Sequence, residues 1–246
     1  MRMVDDANGY SDLLEMVKEH LQRRIERGER TCRIDPALLD KLDAARAQRG
    51  RGQLRGASSD KASLLAELER ELTECKECPL WETRTKMVFG DGDPEARLVF
   101  VGEAPGRDED LEGKPFVGRA GQLLTRIIEA VDLKREDVYI CNVLKCRPPG
   151  NRTPSPEEIH HCEPFLLRQL DIIQPAIIVA LGAPAAQTLR HTKEAVGRLR
   201  GEFREFRGAK LMATYHPAAC LRSPKYKPYV WDDMQKVRDE YRRTTG

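Results

Sequence analysis

Residues 98–110 read LVFVGEAPGRDED. The first four residues, Leu98 to Val101, are apolar and rich in β-branched and aromatic side chains, which is typical of a short buried strand. The remainder is a turn that contains glycine, proline and several acids. Ligands of open α/β sheets bind just beyond the carboxyl ends of the strands. This turn is therefore a candidate site, and the alternative is an ordinary strand-to-helix turn whose acids are solvated.

Similar elements alternate along the rest of the chain. A leucine stripe predicts a helix that begins near Lys61. Further strands are predicted at Val138–Asn142, Ala176–Leu181 and Leu211–Thr214, and further helices at Gly121–Val131, Ser155–Ile173, Ala183–Arg190 and Val230–Arg243. Short apolar strands separated by helices indicate an α/β fold with a parallel sheet that is covered on both faces.

The amino-terminal part of the chain has a different character. Residues 1–45 have the apolar spacing of two amphipathic helices, and residues 46–60 are rich in Arg, Gly and Ser, which is typical of a flexible linker. We therefore expect an extension of undefined role at residues 1–60 and a folded domain at residues 61–246.

Composition narrows the class of protein. The chain has 246 residues, of which 40% are hydrophobic and 33% charged, which is enough for a proper core and a charged surface. It has no apolar run of membrane-spanning length and no signal peptide, so we expect a cytoplasmic protein without a membrane partner. From Arg190 onward, 14 Lys and Arg stand against 7 Asp and Glu. This excess suits a polyanionic partner, or it forms a solvated face.

Seven cysteines in such a chain favour metal binding or catalysis over disulfides. They are Cys32, Cys75, Cys78, Cys141, Cys146, Cys162 and Cys220. Cys75 and Cys78 form a C-x2-C pair, whereas Cys146 and Cys162 are isolated. Four thiolates of this kind can hold zinc or an iron–sulfur cluster, and distant segments favour the cluster. A histidine ligand from His160 or His161 and four simply buried cysteines remain alternatives.

Seven motifs occur in one order, and together they are specific. They are Cys75-x2-Cys78, Gly102-Glu103-Ala104-Pro105-Gly106, Gly113-Lys114-Pro115-Phe116-Val117-Gly118, Tyr139-Ile140-Cys141-Asn142, Lys145-Cys146-Arg147-Pro148-Pro149, Cys162 and His216-Pro217. Over residues 62–243 the chain resembles the family 4, iron–sulfur uracil-DNA glycosylases. The resemblance implies a three-layer α/β/α fold with a short, mostly parallel, four-stranded central sheet. It also implies a [4Fe–4S] cluster on Cys75, Cys78, Cys146 and Cys162, and hydrolysis of the bond between uracil and deoxyribose.

The expected pocket must grip a flipped pyrimidine and stabilise the departing base. Phe116 is the candidate stacking platform, against the alternative of a core phenylalanine. The Asn142 amide can accept from uracil N3–H and donate to O4, a pattern that cytosine reverses. A neutral His216 can donate to O2 as negative charge builds there. Backbone N–H groups of the Gly102–Gly106 turn can assist.

The positions of residues in these motifs predict which of them orient the attacking water and which contact the DNA. Glu103 or Glu109 is expected to orient the water, because the family counts acids at both positions as active-site residues. Ala104 replaces the aspartate of the best-known uracil glycosylases, and it is expected beside Gly102 in the substrate pocket. Expected DNA contacts are Lys145, Arg147 and Arg152 around the Pro148-Pro149-Gly150 loop, and Leu221 and Arg222 in the segment that enters the duplex.

Two departures and two rival functions complete the predictions. Ala219 and Cys220 are smaller than expected in the inserted segment. Asp108 and Asp110 also lie near the expected water, with simple solvation predicted as the alternative. No basic insertion follows Asn142, so hydrolysis is favoured over covalent capture of the abasic sugar. We expect a monomer that acts on single- or double-stranded DNA. The rivals are a catalytically weak DNA-damage-binding module of the same fold and a structural zinc protein.

Overall fold

The computed structural model describes residues 60–245, so the predicted helices and linker of the extension lie outside the described residues, apart from residue 60. The helices are α1 (Asp60–Thr73), α2 (Arg107–Glu112), α3 (Arg119–Glu129), α4 (Pro156–Ile173), α5 (Ala183–Arg190), α6 (Val196–Leu199), α7 (Pro217–Arg222) and α8 (Lys227–Thr245). The strands are β1 (Asp91–Gly92), β2 (Leu98–Gly102), β3 (Tyr139–Asn142), β4 (Ile177–Leu181), β5 (Phe203–Phe206) and β6 (Ala209–Thr214).

The strands form one mixed sheet in the order β1-β3-β2-β4-β6-β5. The four inner strands are parallel and are the four that the sequence predicts. The edge strands β1 and β5 are antiparallel, so the described sheet has six strands rather than the predicted four. The sequence did not reveal them because β1 has only two residues and Phe203-Arg204-Glu205-Phe206 lacks the period-2 alternation of a strand.

Helices cover both faces of the sheet, because successive side chains of a strand point to opposite sides. Val99 and Val101 of β2 pack into one apolar core with leucines of α1, α4 and α5. Leu98 and Phe100 pack into a second core with α3 and α8. The α/β/α layering is therefore confirmed, and the carboxyl ends of the parallel strands lie at one edge of the sheet.

The predicted helices also form at the expected places. A capping box begins α4, in which Ser155 Oγ accepts from the Glu158 N–H and Glu158 accepts from the Ser155 N–H. This start fixes the position of Cys162 two turns later. No helix in the described part of the chain is both long and apolar enough to cross a membrane.

Candidate active site

Three of the parallel strands deliver the predicted pocket residues to the same edge. Gly102 at the end of β2 is paired in register with Asn142 at the end of β3. The end of β6 is held by Thr214, whose hydroxyl donates to Asp233 Oδ2 at 2.6 Å, and His216 follows two residues later. Gly182, at φ +91°, lies so close to His216 that an added Cβ would stand 3.1 Å from the His216 Cβ.

Gly102 is packed directly against two of the predicted pocket side chains. A Cβ atom added there would overlap Asn142 Oδ1 and lie 2.6 Å from Phe116 Cζ, closer than real Cβ contacts allow. The Phe116 ring also stacks with the His216 ring, with centroids 5.5 Å apart and an angle of 29° between the ring planes. The structure therefore brings Gly102, Phe116, Asn142 and His216 together.

Phe116 is held by the backbone of its loop rather than by packing alone. It is buried and has a left-handed φ of 54°, which is uncommon for a residue with an aromatic side chain. The next two residues, Val117 and Gly118, donate their N–H groups to Glu109 Oε1 at 3.0 and 2.9 Å. Glu109 Oε2 accepts from the Gly106 N–H at 3.1 Å. One carboxylate thus fixes both the acidic turn and the Phe116 loop.

Asn142 carries an unusual unsatisfied group. The residue is buried, and its Oδ1 has no hydrogen-bond partner within residues 60–245. Buried polar atoms are normally paired, and an unpaired one costs about 1–3 kcal/mol. An acceptor left open beside an aromatic ring indicates a site for a ligand that brings its own N–H donor.

His216 is arranged as a neutral donor. Its Nδ1 accepts from the Ala218 N–H at 3.1 Å at the start of α7, so the proton of a neutral ring lies on Nε2. Burial, with a smaller contribution from the nearby Arg222 guanidinium, lowers the pKa of His216 to about 4. The ring therefore stays neutral at physiological pH and can donate from Nε2 to an oxygen that gains charge.

The acids of the turn have different environments. Glu103 is half-buried, and burial raises the pKa of its carboxyl, while Arg222 opposes that shift. Both oxygens of Glu109 accept the three backbone hydrogen bonds given above. Asp110 is buried and accepts from the Thr85 N–H at 2.9 Å, so the prediction of a solvated Asp110 is wrong. Ala104 is half-buried against the core on the α4 side of the sheet.

The residues that are expected to contact DNA also differ in their environments. Lys145 is completely buried, so the prediction that it contacts phosphate is wrong. Arg147 donates to Asn151 Oδ1 at 2.7 Å, and Arg152 pairs with Glu158 at the start of α4. On α7, Leu221 and Arg222 are exposed.

The small residue at position 220 is explained by its location. Cys220 is buried in the second core together with Phe116, and it does not lie on the exposed side of α7. A bulkier side chain at this position would therefore enter the core rather than the duplex. Exposed Leu221 is the apolar side chain that this helix presents outward.

The four predicted cluster cysteines line one cavity. The other lining residues are Leu72, Glu77, Trp81, Arg84, Lys145, His161 and Phe165. Arg84 Nη1 donates to Cys146 Sγ at 3.1 Å, and the Lys145 backbone N–H donates to Cys162 Sγ at 3.3 Å. Burial raises the pKa of Cys162 to about 12, so this sulfur stays a thiol unless a metal deprotonates it.

These residues fit a group that is held by four thiolates. Two N–H donors point at sulfur, as they do around iron–sulfur clusters. Lys145 Nζ forms no ion pair with a carboxylate in the described part of the chain. Burial lowers the pKa of this amine, and the nearby sulfurs of Cys141, Cys162 and Cys146 oppose that shift. Across residues 60–245 no three metal-binding side chains are arranged to hold a single metal ion.

Sequence reasoning missed three residues of this region. Arg84, which donates to Cys146 Sγ, and Gln169, which accepts from Lys145 Nζ, gave no signal, because neither lies in a motif and each acts across the fold. Lys145 lies in a motif, but the sequence assigns it, with Arg147 and Arg152, to the frame of a Pro-rich surface loop. Its four apolar or cysteine neighbours, Cys141, Val143, Leu144 and Cys146, were the available signal that this segment is buried.

Comparisons with known proteins agree with this geometry. Residues 89–236 match the family model of the uracil DNA glycosylase superfamily. The chain is 46% identical to a type-4 uracil-DNA glycosylase of Archaeoglobus fulgidus, over 70% of this chain and 91% of that protein. It is 45% identical to a type-4 uracil-DNA glycosylase of Thermotoga maritima, over 71% and 93%. A third, from Saccharolobus solfataricus, is 44% identical over 73% and 86%.

The state of His216 can be tested directly. We predict that ring nitrogen NMR shows the proton on Nε2 and a titration midpoint near pH 4, because burial disfavours the imidazolium. Arg222→Gln should raise the midpoint, since the loss of a nearby positive charge favours protonation. Lys225→Gln, on the same segment, is the control and should leave it unchanged. A midpoint near 6.5, or a proton on Nδ1, would contradict this assignment.

Proposed function

This chain belongs to the type-4 members of the uracil DNA glycosylase superfamily, and we propose which residues of its pocket perform each part of the reaction. The protein is a uracil-DNA glycosylase that hydrolyses the N-glycosidic bond in DNA, releases free uracil and leaves an abasic site. The observation that carries the assignment of residues is the unpaired, buried Oδ1 of Asn142 beside the Phe116 ring.

Asn142 identifies the base. A uracil that enters the pocket brings an N3–H donor to Oδ1 and presents O4 to the amide N–H. Binding therefore removes the unsatisfied acceptor, which a cytosine with an acceptor at N3 would leave unpaired. Discrimination of this kind is strong because the wrong base leaves buried polar groups without partners.

Phe116 and Gly102 shape the pocket around a single flipped base. The nucleotide must leave the stack, because its glycosidic bond is out of reach inside a duplex. The Phe116 ring offers an apolar face for stacking, and Gly102 lets the backbone approach the base closely. Glu109 acts as a positioning residue here, since its carboxylate holds the N–H groups of Val117 and Gly118.

His216 stabilises the leaving group. When the bond between C1′ and N1 breaks, its electron pair leaves with uracil and spreads negative charge onto O2. The Nε2–H of the neutral His216 ring donates to that oxygen, and donors of this type contribute about 10²–10³ to the rate. The Ala218 N–H fixes the ring from its other nitrogen, so no reorganisation is needed during the reaction.

Glu103 is the acid that we assign to the water. Glu109 has both oxygens committed to backbone N–H groups, whereas Glu103 is half-buried and accepts no side-chain hydrogen bond from the described residues. Its carboxylate orients the water toward C1′, stabilises the positive charge on the sugar and receives the proton as the C–O bond forms. Arg222 favours the ionised form that this requires.

DNA is held along α7 and the segment that follows it. Leu221 fills the space of the flipped nucleotide, and Arg222 and Arg147 contact the phosphates. Most basic side chains after Arg190 form ion pairs within the described residues, for example Arg207 with Asp171 and Lys210 with Glu240. Within the described residues, Arg222, Lys225 and Lys227 on and just after α7 form no such ion pair. Positive charge therefore remains along this segment, and Arg222 lies near His216.

Cys75, Cys78, Cys146 and Cys162 hold the iron–sulfur group in this proposal. When bound, it would link the segment that follows α1, the loop after β3 and α4 as a structural crosslink, and it would take no part in the hydrolysis. The chain's own groups that receive it are the N–H donors of Arg84 and Lys145. Residues 61–246 then form the catalytic domain, and residues 1–60 are an extension to it.

The catalytic assignment predicts a specific pattern of activities. Purified protein should release free uracil from uracil-containing DNA, and His216→Ala should lower the single-turnover rate by about 10²–10³. Asn142→Ala should also lower it strongly, because the base is no longer identified. His191→Ala, an exposed histidine at the end of α5, is the matched control and should retain the wild-type rate.

Two outcomes would overturn this assignment. If His216→Ala and Asn142→Ala both kept the wild-type rate, the pocket would be wrong. If wild-type protein bound uracil-containing DNA and never produced alkali-sensitive abasic sites, the damage-binding module of the same fold would be the better function.

The metal assignment has its own test. Protein purified without oxygen should be brown, absorb at the blue end of the visible range and contain iron and sulfide. Cys78→Ala should remove the colour, because a thiolate ligand is lost, while Cys141→Ala in β3 should keep it. A colourless wild-type protein that contains zinc would contradict the assignment.

A further inference from the structure

Lys145 is the most unusual residue that the mechanism above does not use. Its side chain is completely buried, and the ammonium must find its partners inside the protein. Nζ donates to the backbone carbonyl of Asn142 at 2.8 Å and to Gln169 Oε1. A buried lysine is costly to keep, so its contacts suggest a role.

One side of Lys145 reaches the residue that identifies uracil. The accepting carbonyl belongs to Asn142, whose side chain carries the unpaired Oδ1. The next N–H, of Val143, donates to the Gly102 carbonyl at 2.9 Å. The peptide group that follows Asn142 is therefore fixed from both its oxygen and its nitrogen, one by Lys145 and the other by β2.

The other side of Lys145 reaches the cysteine cavity. Its backbone N–H donates to Cys162 Sγ, it precedes Cys146 in sequence, and it lines the cavity with both residues. Within residues 60–245 no carboxylate pairs with Nζ, and the sulfurs of Cys141, Cys146 and Cys162 lie near it. One residue thus contacts both the backbone of Asn142, through its side chain, and Cys162, through its backbone N–H.

Gln169 stabilises this connection. Its Nε2 donates to the Phe89 carbonyl at 3.1 Å and to the Tyr139 hydroxyl at 3.3 Å, which orients Oε1 toward Lys145. All of these groups are buried. The network therefore has defined geometry from α4 through Lys145 to the end of β3.

We propose that Lys145 is a positioning residue that couples the four-cysteine site to uracil recognition, by donating from Nζ to the Asn142 carbonyl while its backbone N–H donates to Cys162 Sγ. The proposal deepens the proposed function and rests on it. A change at the four-cysteine site should therefore alter the position of the Asn142 amide, which recognises uracil. The cluster would then support specificity as well as stability.

The test uses the cluster-loaded protein and measures free uracil as an inhibitor. Lys145→Met keeps the length of the side chain and removes its donors and charge. We expect the inhibition constant of uracil to rise about tenfold or more, the scale of a lost hydrogen bond to a charged group. Affinity for DNA with an abasic site should not change, because Lys145 does not reach the surface.

A core variant separates positioning from general stability. Leu166→Ala, in the same core as Cys162, should lower the melting temperature and leave the inhibition constant of uracil unchanged. In Lys145→Met the reduction potential of the cluster should also become more negative, because the polar Nζ–H donors near the cavity sulfurs, which favour the reduced cluster, have gone. Loss of packing alone does not predict that shift.

Gln169→Leu keeps the proposal falsifiable if Lys145→Met does not fold. It removes one acceptor of Nζ and should weaken uracil binding by a smaller factor. The proposal is overturned if Lys145→Met binds uracil like the wild type, or if Leu166→Ala weakens uracil binding equally. Where only Gln169→Leu folds, unchanged uracil binding overturns it. Uracil release by the wild-type protein is measured first. If the wild type releases no uracil, the proposed function fails; if it does, the results for the variants test the role of Lys145 alone.

Discussion

The close approach of Gly102 to Asn142 and Phe116 is the constraint on which the pocket depends. A side chain at position 102 would occupy the space where the Asn142 amide and the Phe116 ring now lie. The parallel pairing of β2 with β3 sets this approach, since it places Gly102 beside Asn142. The Glu109 carboxylate then brings the Phe116 loop to the same point. Gly102, which has no side chain and lies at the end of a central strand, thus forms the base of the recognition site.

Charge in the cleft is organised around the same point. Burial lowers the pKa of His216 and raises the pKa of Glu103. Arg222 lowers the pKa of both groups, which favours the neutral form of His216 and the ionised form of Glu103. A neutral imidazole donor and an ionised carboxylate suit a reaction that makes an anionic base and a cationic sugar. The cluster cavity lies on the other side of Asn142, with Lys145 between them.

Much of this arrangement was predictable from the sequence, and the failures have physical causes. The four parallel strands and the helices between them follow from apolar runs, and Asn142 and His216 lie where strand ends predict a site. Edge strands were missed because they are short or lack alternation. Glu103 and Glu109 could not be told apart, because only the fold shows which carboxylate accepts backbone N–H groups. Lys145 was placed at the surface because a lysine beside a Pro-rich loop normally lies there.

The most direct test of the account is the excision rate and uracil affinity of Gly102→Ala. The new Cβ should displace the Asn142 amide and the Phe116 ring, which are side-chain ends, and leave the sheet intact. We predict loss of uracil binding and a fall in rate of about 10² or more, with a melting temperature close to that of the control Gly197→Ala. A folded Gly102→Ala protein that binds and excises uracil at the wild-type level would contradict the account.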